Sequence, residues 1–148
     1  MNKLFALAGL GVLSVAMAAS ACKGKEAPTE ASNPGEQEAV AAADAWLLLV
    51  DGEKYQESWE QAAGIFKAAV TADSWKQQVA AVRKPLGKLV SRKLKSKTFA
   101  TSLPGAPDGK YVVIQYDATY ESKAAAVETV TPAADKDGKW RVSGYFIR

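Results

Sequence analysis

The sequence predicts an α+β domain in which three N-terminal helices pack on one face of a curved four-stranded antiparallel sheet. Two observations predict it. Apolar residues recur at three- and four-residue spacing as far as Leu86, and from Gly87 onward the period shortens to two. The alternating segments have one dry and one wet side, so a second layer must cover the dry one.

Asn33-Pro34 opens the first helix, with a capping side chain, a proline in the first turn, and Glu36 and Glu38 near the positive end of the helix dipole. Val40, Ala43, Leu47 and Val50 follow at helical spacing, and Trp46 and Leu48 broaden the stripe. Asp51-Gly52 closes it, glycine being suited to a left-handed cap. A second helix is carried by Tyr55, Trp59, Ala62 and Phe66, its far end weakened by Gly64. A third, with Thr71 as its cap, runs through Trp75, Val79, Val82 and Leu86 and must stop near Lys84, because Pro85 disfavours helical geometry before it. These aromatic stripes read as core rather than as a cofactor box.

The strands predicted are Lys88 to Phe99, Tyr111 to Tyr120, Ala125 to Thr131 and Trp140 to Ile147. Asp108-Gly109 and Asp137-Gly138 supply turn signals between neighbouring pairs. In the second strand Val112, Ile114, Tyr116, Ala118 and Tyr120 share the dry face, while Gln115, Asp117 and Thr119 share the wet one.

Ahead of this domain the chain reads as an export signal. Lys3 precedes an apolar run from Leu4 to Ala19, and Ala19-Ser20-Ala21 leads directly to Cys22, the single cysteine. That order resembles a bacterial lipoprotein signal, which implies cleavage before Cys22 and acylation of its thiol. Plain secretion is the alternative, since Ala16-Met17-Ala18 and Ala19-Ser20-Ala21 are both A-x-A sites. The expected organisation is a signal peptide over residues 1–21, a lipid-anchored flexible tether over 22–34 rich in charged and small residues, and one α+β domain over 35–148. Lys23 after the cysteine, in place of an aspartate, favours an outer-membrane lipoprotein facing the periplasm, by the same resemblance; the alternative is a soluble periplasmic protein.

Composition excludes several chemistries. The chain has no histidine, so neither a Ser-His-Asp nor a Cys-His nucleophile can be built, and imidazole-dependent metal or haem sites are out. One cysteine cannot supply a thiolate cluster, and no dinucleotide, phosphate-loop or calcium-loop pattern occurs. No metal site, cofactor or catalytic residue is therefore assigned.

Trp46-x4-Asp51, Tyr55-x2-Ser58-Trp59, Trp75, Arg83-Lys84-Pro85-Leu86-Gly87 and Ser91-Arg92 carry a family resemblance. It continues through Pro107-Asp108-Gly109-x-Tyr111-Val112-Val113, Val127-Glu128-Thr129-Val130 and Gly138-x-Trp140-Arg141-Val142-x-Gly144-Tyr145-Phe146. Together these resemble a bacterial family of small exported proteins, the domain of unknown function four-zero-one-nine. The resemblance implies an exported domain related to the cone-shaped fold of the nuclear-transport-factor-two-like (cystatin-like) superfamily. It implies no activity, because fold analogy does not carry function.

Charge is unevenly distributed. No acid falls between Asp73 and Asp108, whereas eight bases do. Within that stretch Lys93, Lys95 and Lys97 alternate with Leu94 and Ser96, so a regular strand would present all three ammoniums on one side, roughly 7 Å apart. Such a row suits anionic envelope polymer or lipid headgroups, or simply keeps an exposed edge strand from pairing. Nucleic acid is not expected, since no aromatic alternates with these lysines. Arg92 shares the parity of Val90 and Leu94 and so points inward, where a guanidinium needs a partner; Glu128 is the candidate. The pair either fixes strand register or forms the charged floor of a ligand pocket walled by Trp46, Trp59, Tyr116 and Tyr145. The expected function is an envelope lipoprotein that binds a small ligand or a protein partner and touches the membrane through acylated Cys22. One alternative is a tyrosine/carboxylate isomerase or hydratase using Tyr116, Tyr120, Tyr145, Asp117 or Glu128. Another is a structural lipoprotein whose lysine row meets anionic polymer.

Overall fold

A computed structural model describes residues 34–148. The leader, Cys22 and the tether up to residue 33 lie outside the described residues. Four helices precede the sheet, one more than expected: α1 (Pro34–Asp51), α2 (Tyr55–Glu60), α3 (Gly64–Ala69) and α4 (Ala72–Arg83). A 3-10 turn over Lys84–Leu86 leads into β1 (Leu89–Ala100), β2 (Tyr111–Tyr120), β3 (Lys123–Ala134) and β4 (Trp140–Ile147). The strands form one antiparallel meander in the order β1-β2-β3-β4.

The extra helix arises where a single one was expected over 55–66. At Ala63 the chain turns extended (φ −60°, ψ 152°), and its amide donates to the Val142 carbonyl on the free edge of β4 at 2.8 Å. Gly64 then starts α3 instead of fraying α2, so a stretch of edge strand is capped at the cost of helical continuity. Thr71 caps α4, its hydroxyl accepting from the Ser74 amide at 3.3 Å. Thr71→Ala should lower unfolding free energy by about 1 kcal/mol; an unchanged urea midpoint would show that the cap contributes nothing.

β3 runs past Pro132, although proline argues against a strand interior. The ladder shifts register between Thr131 and Pro132, where the missing donor is not needed. The inner face carries Val112, Ile114, Tyr116 and Val130, and α1 covers it with Ala39, Ala43, Trp46, Leu47 and Val50. Trp75 and Val79 of α4 and Phe66 of α3 complete the core. Trp46, Trp75, Phe66 and Tyr145 pack ring to ring, with centroid separations of 5.1–6.1 Å in edge or tilted contacts. The helices leave the β1 side of the sheet thinly covered: Leu94 is inward-facing opposite Tyr116 yet 49% exposed. Among the described residues no helix is long and apolar enough to cross a membrane.

Candidate functional site

Two ends of helices meet four strands at one corner of the domain. Asp51 ends α1, an unfavourable place for a carboxylate because the helix dipole is negative there. Two guanidinium groups compensate. Arg83, in the last turn of α4, donates from Nη2 to Asp51 Oδ1 at 2.6 Å, and Arg92 of β1 reaches both Asp51 oxygens at 2.7 and 3.0 Å. Both arginines also reach Glu128 of β3, which is fully buried: Arg83 Nη1 donates to Oε1 at 3.0 Å, and Arg92 Nε donates to Oε2. The expected Arg92–Glu128 pair thus forms. Ala118 lies opposite both Arg92 and Ala126, and these small side chains leave Arg92 room to cross β2.

Two phenols close the cluster. Tyr120 and Tyr145 each donate to Glu128 Oε1, Tyr145 at 2.7 Å, and each accepts from Arg83 Nη1, at 2.7 and 3.3 Å respectively. Burial, then the adjoining Glu128 carboxylate, pushes both tyrosines far above their ordinary pKa. Its own hydrogen bonds to Asp51 and Glu128 hold Arg92 firmly in its charged form despite burial. Charges balance two against two, and the polar ends of the six side chains are largely spent on one another.

The remaining expected site residues lie apart. Tyr116 donates its hydroxyl to Asp44 of α1 at 2.7 Å, outside the cluster. Trp46 donates to the Ser58 carbonyl at 2.7 Å and Trp59 to the Val70 carbonyl at 2.8 Å. Trp46 meets the Tyr145 ring edge-on, Trp46 and Tyr116 belong to the buried core, and Trp59 and Tyr145 pack against it. The lysine row is also corrected. A register shift between Leu94 and Ser96 reverses the parity beyond it, placing Lys97 opposite inward-facing Ile114 and 3.6 Å from Glu36 of α1. Lys93, opposite Asp117, and Lys95, which pairs with Asp117 at 2.9 Å, stay on the outer face.

Asp51 and Arg83 were not among the expected site residues, and both reach the wall of an open cleft of about 640 Å³. The cleft lies between the α1–α2 connection and the segment that joins α4 to β1. Its rim has an unusual backbone. Bonds from Lys54 N to Leu49 O and from Glu53 N to Val50 O close α1 in a Schellman motif, and the residue in the left-handed position is Glu53 (φ 58°), not Gly52 as expected. Glu53→Gly should therefore raise unfolding free energy by about 1 kcal/mol. A lower midpoint in urea would show that the glutamate side chain supports the fold.

The fold and this corner define a class: a small α+β domain with a self-neutralising arginine–carboxylate–tyrosine cluster under an open polar cleft. The chain belongs to the family described as protein of unknown function DUF4019, whose model matches residues 42–145. No curated protein and no solved structure matches it.

Proposed function

We propose that this protein is a non-catalytic binding domain of the bacterial envelope, exported by its leader, acylated at Cys22 and held on its tether at the outer membrane facing the periplasm. It binds a small ligand or a protein partner at the open cleft. The observation that carries this reading is the closed cluster beneath the cleft. Tyr120 and Tyr145 already donate to Glu128, and Asp51 and Glu128 already accept from Arg83 and Arg92, so proton-transfer groups of the isomerase type are engaged internally. The cluster instead gives the cleft a rigid polar floor. A kinship with the nuclear-transport-factor-two-like superfamily belongs to the same proposal, supported by helices that precede a meander and pack on one of its faces. The lysine-row reading is less well supported, because the register shift leaves only Lys93 and Lys95 on the outer face.

Mass spectrometry of the protein taken from its native envelope tests the proposal. The expected result is an acylated N-terminal cysteine and a co-purifying molecule or partner. Recovery of an unacylated, freely diffusing protein with nothing bound would overturn it.

A further inference from the structure

The cleft holds charges that the cluster does not use. Among the described residues, the ammonium groups of Lys84 and Lys88 and the carboxylate of Glu53 form no ion pair or hydrogen bond, and all three line the cleft. The two lysines belong to the segment after α4 and Glu53 to the connection after α1, so opposite charges come from different elements of the rim.

Both elements are fixed in place. Glu121 accepts from the Lys88 amide at 2.9 Å, and a Cβ on Gly87 (φ 74°) would stand 2.8 Å from that same carboxylate oxygen. Glycine there lets the carboxylate clasp the backbone, which pins the stretch bearing Lys84 and Lys88. On the other side Glu53 occupies a left-handed position that glycine would hold without strain. A side chain kept against local strain at a cleft rim, with its charge unpaired, points to a ligand it serves.

We propose that this cleft binds a small zwitterion, its anionic end on Lys84 and Lys88 and its ammonium on Glu53. The inference rests on the binding-domain reading above and gives it a ligand class. A simple anion would meet the carboxylates of Glu53 and Glu121 as well as the lysines, and a simple cation would meet the lysines. A molecule with both charges a few bonds apart satisfies both sides of the rim. The hydroxyl of Tyr55, which also lines the cleft and has no hydrogen bond of its own, supplies an adaptable donor or acceptor between them. The volume of about 640 Å³ lies within the range of small-molecule sites, about 300–1,000 Å³.

Two zwitterions test it by calorimetric titration of the full chain: the dipeptide alanyl-alanine and phosphoethanolamine. Saturable binding of the first identifies a peptide-like ligand, and of the second a lipid headgroup. Blocking either charge, as N-acetyl-alanyl-alanine or alanyl-alanine amide for the dipeptide, should weaken binding about tenfold. Glu53→Gln should erase the difference between free and acetylated amine. Lys84→Gln with Lys88→Gln should erase that between carboxylate and amide. All three side chains are exposed, and circular dichroism confirms folding of each variant. No saturable binding by either zwitterion, or binding indifferent to the blocking groups and to the substitutions, would overturn the inference. If that happens while a partner protein co-purifies with acylated protein from the envelope, the binding-domain reading stands and only the ligand class falls.

Discussion

Glu128→Ala should destabilise the domain by about 3–5 kcal/mol, because it leaves the buried Arg83 and the partly buried Arg92 guanidinium groups with Asp51 as their remaining carboxylate. It also removes the acceptor to which the Tyr120 and Tyr145 hydroxyls donate. Urea unfolding measures the loss. A double-mutant cycle with Arg92→Ala then isolates the pair, and a coupling of about 1 kcal/mol or more is expected for groups sharing one network. Additive losses would mean that Arg92 and Glu128 sit side by side without dependence on each other.

Alkaline pH should weaken the fold steeply. Tyr116, Tyr120 and Tyr145 all have pKa values raised above the ordinary tyrosine range near 10, chiefly by burial and then by an adjacent carboxylate, Asp44 for the first and Glu128 for the others. A raised folded-state pKa means that the native protein keeps a proton which the unfolded chain releases. The stabilisation is complete below pH about 10 and is lost as pH rises above that value. Each tyrosine contributes a slope of about 1.4 kcal/mol per pH unit, so the three together give about 4. Urea midpoints measured from pH 8.5 to 11.5 should fall accordingly, and Tyr120→Phe should flatten the slope by about one third. A stability that stays level across that range would show the phenols ionising as freely in the native state as in the unfolded one.

How much of this was legible depended on the range of the interaction. The strands β2 and β4 stood out to the residue, because alternation and flanking glycines are local signals. Arg92 and Glu128 were readable as partners, since parity holds from Arg92 to Leu94 and Glu128 lies between Val127 and Thr129 in an alternating strand. Lys97 was misplaced because nothing in the residue types marks the register shift that turns it inward. The apolar stripe favours Val82 over Arg83, yet Val82 is 46% exposed and Arg83 only 6%. The spacing Trp75, Val79, Arg83 does mark a helical face, but apolarity outweighed it as a signal. What draws Arg83 inward is Asp51, 32 positions earlier, and Glu128, 45 positions later, and such distant pairing needs the register of the whole sheet. The fourth helix was hidden for the same reason, since the break at Ala63 answers to a carbonyl on β4.

The two interruptions along β1, after Leu89 and after Leu94, have a bearing beyond the single molecule. A long straight margin with free amides and carbonyls invites neighbouring molecules to zip onto it, and crowding makes that hazard worse. A margin interrupted twice and studded with ammonium groups opposes such growth. The same irregularity that upset the lysine alternation thus guards the exposed margin against fibre-like growth.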